Sequence, residues 1–468
     1  MNTSYKDTKF SEMKQLLNHF NSFDHIRLTT EGKTVENRDL FLVHIAHPHA
    51  SSRWKIFFCA QQHGNEPAGK EALLQLIKQV SINPKLLPSG IDLWIMPMIN
   101  PDGAEANERR NANNMDLNRD HQLLSQPETQ TLHRVVRTIK PHLATDCHEY
   151  ICDNKPYMER GWYQPALITM DTANNPLFGS QIYEIGKKWI DEAAKIMEKA
   201  GIRYTRYYVG GPPPENEIRH SNLEVDDGRN GFGSYGALAF IIESGVFRNY
   251  KEPYSNFSQR VNAYLTLLWF LIKNAKKRQK DLKTIEQTRT TPLPSFIPTN
   301  YFWGSVETKE HLVKMAERET DTIKEIRTPN FFTERIIKKT IAAPLGYVIP
   351  PEYSSPFKNF FEKHGISYKT LKSTEKMTVQ PARLIRVENK FDFTYNRYKG
   401  RQIVKTEPLQ QKEFPEDSIY IHLTNTIESR RAILLLEPNL LYGIYRYDEF
   451  YDLAKKNNQI PVFRVINQ

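Results

Sequence analysis

The chain has 468 residues, with 64 Lys and Arg against 54 Asp and Glu, a formal net charge of +10 and three cysteines. That length exceeds one typical core, and the basic surplus is spread along the chain with no nucleic-acid motif, so a nucleic-acid partner is excluded. Cys59, Cys147 and Cys152 are too few for a disulfide framework, and neither a signal peptide nor a membrane-length apolar run is visible. The expectation is a soluble cytoplasmic protein with no membrane partner, or a secreted or periplasmic one if a leader has been removed.

In chain order, Met13, Leu16, Leu17 and Phe20 make a helical face, and Leu40 to Ile45 reads as a strand. Ile56-Phe57-Phe58-Cys59-Ala60 is a continuous apolar run, as in a strand buried on both faces. Leu73, Leu76, Ile77 and Val80 then recur at helical spacing. Between strand and helix lies Gln62-His63-Gly64-Asn65-Glu66-Pro67. Strand-to-helix turns of α/β sheets are where ligand sites gather, and a His nitrogen with a Glu oxygen three residues on suits zinc. A second apolar strand, Leu93 to Met96, runs into the turn Asn100-Pro101-Asp102-Gly103. The polar loop from Glu108 to Asp120 holds three arginines and four asparagines, donors that can grip a carboxylate. Ser125 and Glu128 stand at capping-box spacing before a helix through Leu132, Val135, Val136 and Ile139. Leu143 to Cys147 reads as a strand delivering His148 and Glu149. Farther on, Gly228 to Gly236 reads as a mobile loop or a close backbone approach, and Ala237 to Ile242 as a buried strand ending in Glu243. A carboxylate at the end of so apolar a strand is costly without a partner or a task.

These blocks, His-x-x-Glu, Asn-Pro-Asp-Gly followed by Asp-Leu-Asn-Arg, a strand-end His and an apolar strand ending in Glu, occur in an order that resembles the carboxypeptidase A/B-type zinc metallocarboxypeptidases. The resemblance covers roughly residues 35 to 275. It implies one zinc ion held by His63, Glu66 and His148, with Asp116 orienting a ligand histidine. It implies Glu243 as general base and Arg109 as the group that polarises the scissile carbonyl, Arg110 being an alternative one step away. Asn118 and Arg119 would hold the free C-terminus of a peptide substrate. Tyr207, Tyr208 and Tyr235 are candidates for a capping tyrosine. The specificity pocket stays open: Asp226 or Asp227 would favour basic side chains, and Arg229 acidic ones.

The expected fold is α/β, a mixed parallel and antiparallel central sheet flanked by helices, over residues 1–285. Residues 286–335 read as a linker and a helical segment around Val306 to Ile326, and 336–468 as a small α+β domain with strands that include Ile433 to Leu436 and Val462 to Val465. Two other functions suit the same sequence. One is a zinc-dependent deacylase of N-acyl amino acids, similar to aspartoacylase and succinylglutamate desuccinylase, and the other is a catalytically dead peptidase fold that only binds. Oligomeric state is not legible.

Overall fold

The computed structural model describes residues 4–46, 54–247, 257–305, 311–392, 397–456 and 458–467. An eight-stranded sheet forms its centre, in the spatial order Ile26–Lys33, Asp39–Ile45, Ile91–Met96, Trp54–Ala60, Leu143–Ile151, Leu238–Val246, Ile168–Thr172 and Tyr204–Arg206. The four middle strands, from Ile91–Met96 to Leu238–Val246, run parallel. Asp39–Ile45 and Ile168–Thr172, which join them on either side, run antiparallel to them. Every residue of Leu238–Ser244 and Leu143–His148 is buried, because helices cover both faces of these strands. One apolar core joins the sheet to helices Phe10–Phe20, Ala68–Ile82, Pro127–Ile139, Ser180–Lys199 and Phe257–Lys277.

A second core lies in the C-terminal part, around Phe357, Phe361, Ile433, Tyr445 and Phe450. It accompanies a six-stranded antiparallel sheet in the order Lys369–Thr370, Ile419–His422, Gly346–Ile349, Phe463–Asn467, Glu375–Gln380 and Gln410–Phe414. This is the smaller α+β unit expected from the sequence.

Four local expectations are corrected. The stretch read as helical around residues 306–326 is an antiparallel hairpin, His311–Glu317 with Ile323–Thr328, while 306–310 lie outside the described residues. Val313 and Met315 are buried on alternate positions, a period of two that outweighs helix propensity. Ile433 to Leu436 is the end of a helix, Ile427–Leu436, capped by the Thr426 hydroxyl. A short run buried on all sides carries no periodicity from which strand and helix can be told apart. The helix Pro127–Ile139 is not opened by a Ser125/Glu128 capping box. Instead Asp120 gathers Ser125 N and Oγ, Gln126 N and the Thr129 hydroxyl, and Glu128 accepts from Val35 N and Asn111 Nδ2. Gly228–Gly233 is a short buried helix, capped by Asp227. Here the close backbone approach is real: a Cβ on Gly228 would lie 2.3 Å from Asp146 Oδ2 and 2.7 Å from Gln62 Nε2.

Candidate metal centre and active-site cavity

The strand Trp54–Ala60 ends at Gln61, whose φ of 56° is unusual for a residue with a side chain and turns the chain sharply. Gln61 Nε2 donates to Gly64 O at 2.8 Å, closing the turn on itself. Gly64 packs so tightly on the next loop that a Cβ would lie 2.0 Å from the Gly103 carbonyl carbon. Asn100 locks the two together, since its Nδ2 donates to Gln62 O at 3.2 Å while its Oδ1 caps the helix Pro101–Ala106 through Gly103 N at 2.9 Å. The Asn-Pro-Asp-Gly motif is thus architectural, and it presents His63 and Glu66 side by side.

Two strands away in sequence but adjacent in space, Leu143–Ile151 brings His148 to the same point. His63 Nδ1 lies 2.9 Å from Glu66 Oε1 and 3.0 Å from His148 Nδ1, and His148 Nδ1 lies 3.0 Å from Glu66 Oε2. All three side chains are buried. Each imidazole gives its other nitrogen to a carboxylate, His63 Nε2 to Asp116 Oδ1 at 3.0 Å and His148 Nε2 to Asp146 Oδ2 at 2.8 Å. A carboxylate only accepts, so in the neutral rings both Nε2 atoms carry hydrogen and both Nδ1 lone pairs face Glu66. Two lone pairs and a carboxylate facing one another call for a cation between them, and this donor set suits zinc. Burial opposes a charge on His148, yet Asp146 and Glu66 outweigh it and hold the ring well above the ordinary histidine value, a demand for positive charge at Nδ1 that either a proton or a metal ion meets.

Glu243 pairs with His148 across the parallel ladder, so its carboxylate flanks the same cluster. Burial pushes it up to about 7, against the opposing pull of His148, Arg109 and a hydrogen bond from the Tyr207 hydroxyl. His63, Glu66, His148 and Glu243 open onto one cavity of about 580 Å³.

Residues 13–151 match the sequence profile of the zinc carboxypeptidase family. That stretch is similar to a zinc carboxypeptidase domain. A curated relative, Carboxypeptidase 2 of Trichophyton rubrum, is 26% identical over 228 residues, which are 47% of this chain and 40% of the relative. Carboxypeptidase D of Mus musculus is 35% identical over 130 residues, 24% of this chain and 9% of that one. The chain therefore spans well under half the length of these curated relatives. Among solved structures, a metallo-carboxypeptidase from Pseudomonas aeruginosa is similar at 21% identity and a TM-score of 0.45, covering 58% of this chain and 69% of that chain.

Arg109 lines the cavity and donates Nε and Nη2 to Asp116 Oδ2, each at 3.1 Å, and Nη1 to Glu66 Oε1 at 3.2 Å. Arg110 is absent from the lining, and its Nη1 donates to Asn114 Oδ1 at 3.3 Å. Asn118 and Arg119 both line the cavity. Asn118 is held by its Oδ1, which accepts from Gly228 N at 2.7 Å. Of the tyrosines, Tyr207 and Tyr208 line the cavity, whereas Tyr235 is buried elsewhere against His133. Asp227 lines the cavity with both oxygens engaged, by Arg229 Nη2 and by Asn230 N. Asp226 and the wholly buried Arg229 do not line it.

The sequence reading missed Asp146. It stands two residues before His148 on one strand, and side chains at that spacing share a face, which is the signal that could have found it. Behind it runs a chain of hydrogen bonds with a single direction. Tyr235 donates to His133 Nδ1 at 2.9 Å, His133 Nε2 to His121 Nδ1 at 2.8 Å, His121 Nε2 to Gln62 Oε1 at 2.9 Å, and Gln62 Nε2 to Asp146 Oδ2 at 2.8 Å. Burial keeps both histidines neutral, His121 being lowered to about 4 and His133 held well below its ordinary value. Every member is satisfied, so the chain fixes Asp146 and through it the His148 ring. Asp146→Asn is expected to weaken zinc binding about 10- to 100-fold, measured by competition with a chromophoric chelator. An unchanged affinity would show that Asp146 does not orient the ligand.

Proposed function

We propose that the protein is a zinc-dependent carboxypeptidase that hydrolyses the C-terminal peptide bond of peptides. The observation that supports this most is the convergence of two Nδ1 atoms and the Glu66 carboxylate beside the buried Glu243, on a cavity also lined by Arg109 and Arg119. His63, Glu66 and His148 would hold the ion, with Asp116 and Asp146 fixing the two rings. Zinc in such a set supplies Lewis acidity, polarising a carbonyl and making water nucleophilic near neutral pH.

The chain's own residues do the rest. Glu243 takes the proton from the attacking water and delivers it to the leaving amine, which a carboxylate of raised pKa does efficiently. Tyr207 holds that carboxylate by its hydroxyl. Arg109 is fixed by Asp116 and offers positive charge to the developing oxyanion. Asn118 and Arg119 set the register by engaging the free carboxylate of the peptide.

The test is an assay of the zinc-loaded protein on N-blocked dipeptides and, in parallel, on N-acyl amino acids. Release of the C-terminal residue from the dipeptides is the expected result. Deacylation without peptide cleavage would replace the carboxypeptidase by an N-acyl amino acid deacylase, and a protein that binds no zinc would replace it by a binding fold.

A further inference from the structure

The wall of the cavity away from the metal ligands carries a cation that the proposed mechanism does not use. Arg219 lies on the two-residue strand Ile218–Arg219, clamped between Val209–Gly210 and Phe331–Phe332, so its backbone is held on both sides. It lines the cavity beside Ser221, Asn222 and Asp227. Its Nη1 donates to His220 O at 2.9 Å, and it forms no ion pair among the described residues. Five N–H donors on a half-buried guanidinium are poorly served by one carbonyl.

The buried acids around it are already committed, and Glu217, whose charge also reaches it, is exposed. Glu224 is bound by Arg446, Asp227 by Arg229, and Glu149 by Arg260 and Ala68 N. Arg109, by contrast, is matched by Asp116 and Glu66. That part of the cavity wall is therefore left with positive charge and a planar fork, the geometry that grips a carboxylate through two parallel hydrogen bonds. A lysine or arginine side chain of a substrate would meet Arg219 directly and find the Asp227 oxygens occupied.

We infer that Arg219 selects substrates whose C-terminal residue is acidic, glutamate or aspartate, by pairing with the side-chain carboxylate. The inference rests on the carboxypeptidase reading and names its substrate class. Blocked dipeptides ending in Glu, Gln, Leu and Lys distinguish the possibilities, assayed with the zinc-loaded wild type, Arg219→Met and Arg219→Lys.

The wild type is expected to cleave the Glu peptide with a kcat/KM at least about tenfold above the Gln peptide, the range set by a charge-assisted hydrogen bond. Arg219→Met should erase that ratio and leave the Leu peptide within about twofold of wild type, with Arg219→Lys intermediate. Equal cleavage of Glu and Gln peptides by the wild type would overturn the inference. So would an equal loss on every peptide in Arg219→Met, which would place Arg219 on the main-chain carboxylate that all of them share. If no peptide is cleaved, the carboxypeptidase reading fails on its own, and calorimetry of free glutamate against glutamine still reads Arg219. Glutamate bound tighter by the wild type and not by Arg219→Met supports the acidic pocket, and equal binding ends it. Unchanged zinc content and melting temperature in Arg219→Met show that the variant is folded.

Discussion

Glu243→Gln is expected to keep its zinc and lose about 10²- to 10⁴-fold in kcat, the range that a positioned proton-transfer group supplies. Gln preserves the size of the side chain and the acceptor for the Tyr207 hydroxyl, but it cannot take a proton from water. KM should change little, because the lost interaction belongs to the transition state. Single-turnover assay with metal analysis of the same sample checks both halves. Hydrolysis at the wild-type rate would remove Glu243 from the role of base. The wild type should also show an acid limb in kcat/KM, since the base works only when ionised. Burial pushes Glu243 up to about 7, and a dication at the neighbouring ligands would draw that limb lower.

The second large effect is on metal-linked stability. Zinc that binds only the folded chain stabilises it by about 4 kcal/mol at a free concentration near a thousand times Kd. His148→Ala removes one of the three donors and leaves Asp146 buried with Gln62 and the Cys59 thiol as partners. The variant is expected to lose the zinc-dependent rise in melting temperature altogether, together with hydrolysis. Thermal unfolding with and without zinc, at fixed protein concentration, measures it. A variant that still gained the full zinc-dependent stabilisation would show that the ion is held elsewhere.

The two predictions draw on residues that the sequence separates widely. Glu243 lies almost a hundred residues beyond His148, and the family match at residues 13–151 stops well before it. Parallel pairing puts the two in direct register, Glu243 opposite His148, because strands Leu143–Ile151 and Leu238–Val246 are neighbours in the sheet.

Much of this was legible in the sequence for a physical reason. Strands buried on both faces must be continuously apolar, so Ile56 to Ala60 and Ala237 to Ile242 announce themselves, and a polar residue at the end of each stands out. His63 with Glu66, His148 and Glu243 all occupy such ends. At His311–Glu317 packing imposes a period of two over local helix propensity, and the fully buried run Ile433 to Leu436 carries no period by which helix and strand differ.

By itself, the sequence determined the donor types, their order and the strands that carry them, since these follow from hydrophobic pattern and side-chain chemistry. Only the tertiary structure decided which of them meet. It turned Arg109 rather than Arg110 to the cavity, buried Arg229, committed Asp226 to Arg446, brought Asp146 behind His148 and left Arg219 in the wall. Those outcomes depend on register, on backbone contacts such as Gly228 against Asp146, and on which charges find partners across the chain. None of these is a property of a residue and its sequence neighbours.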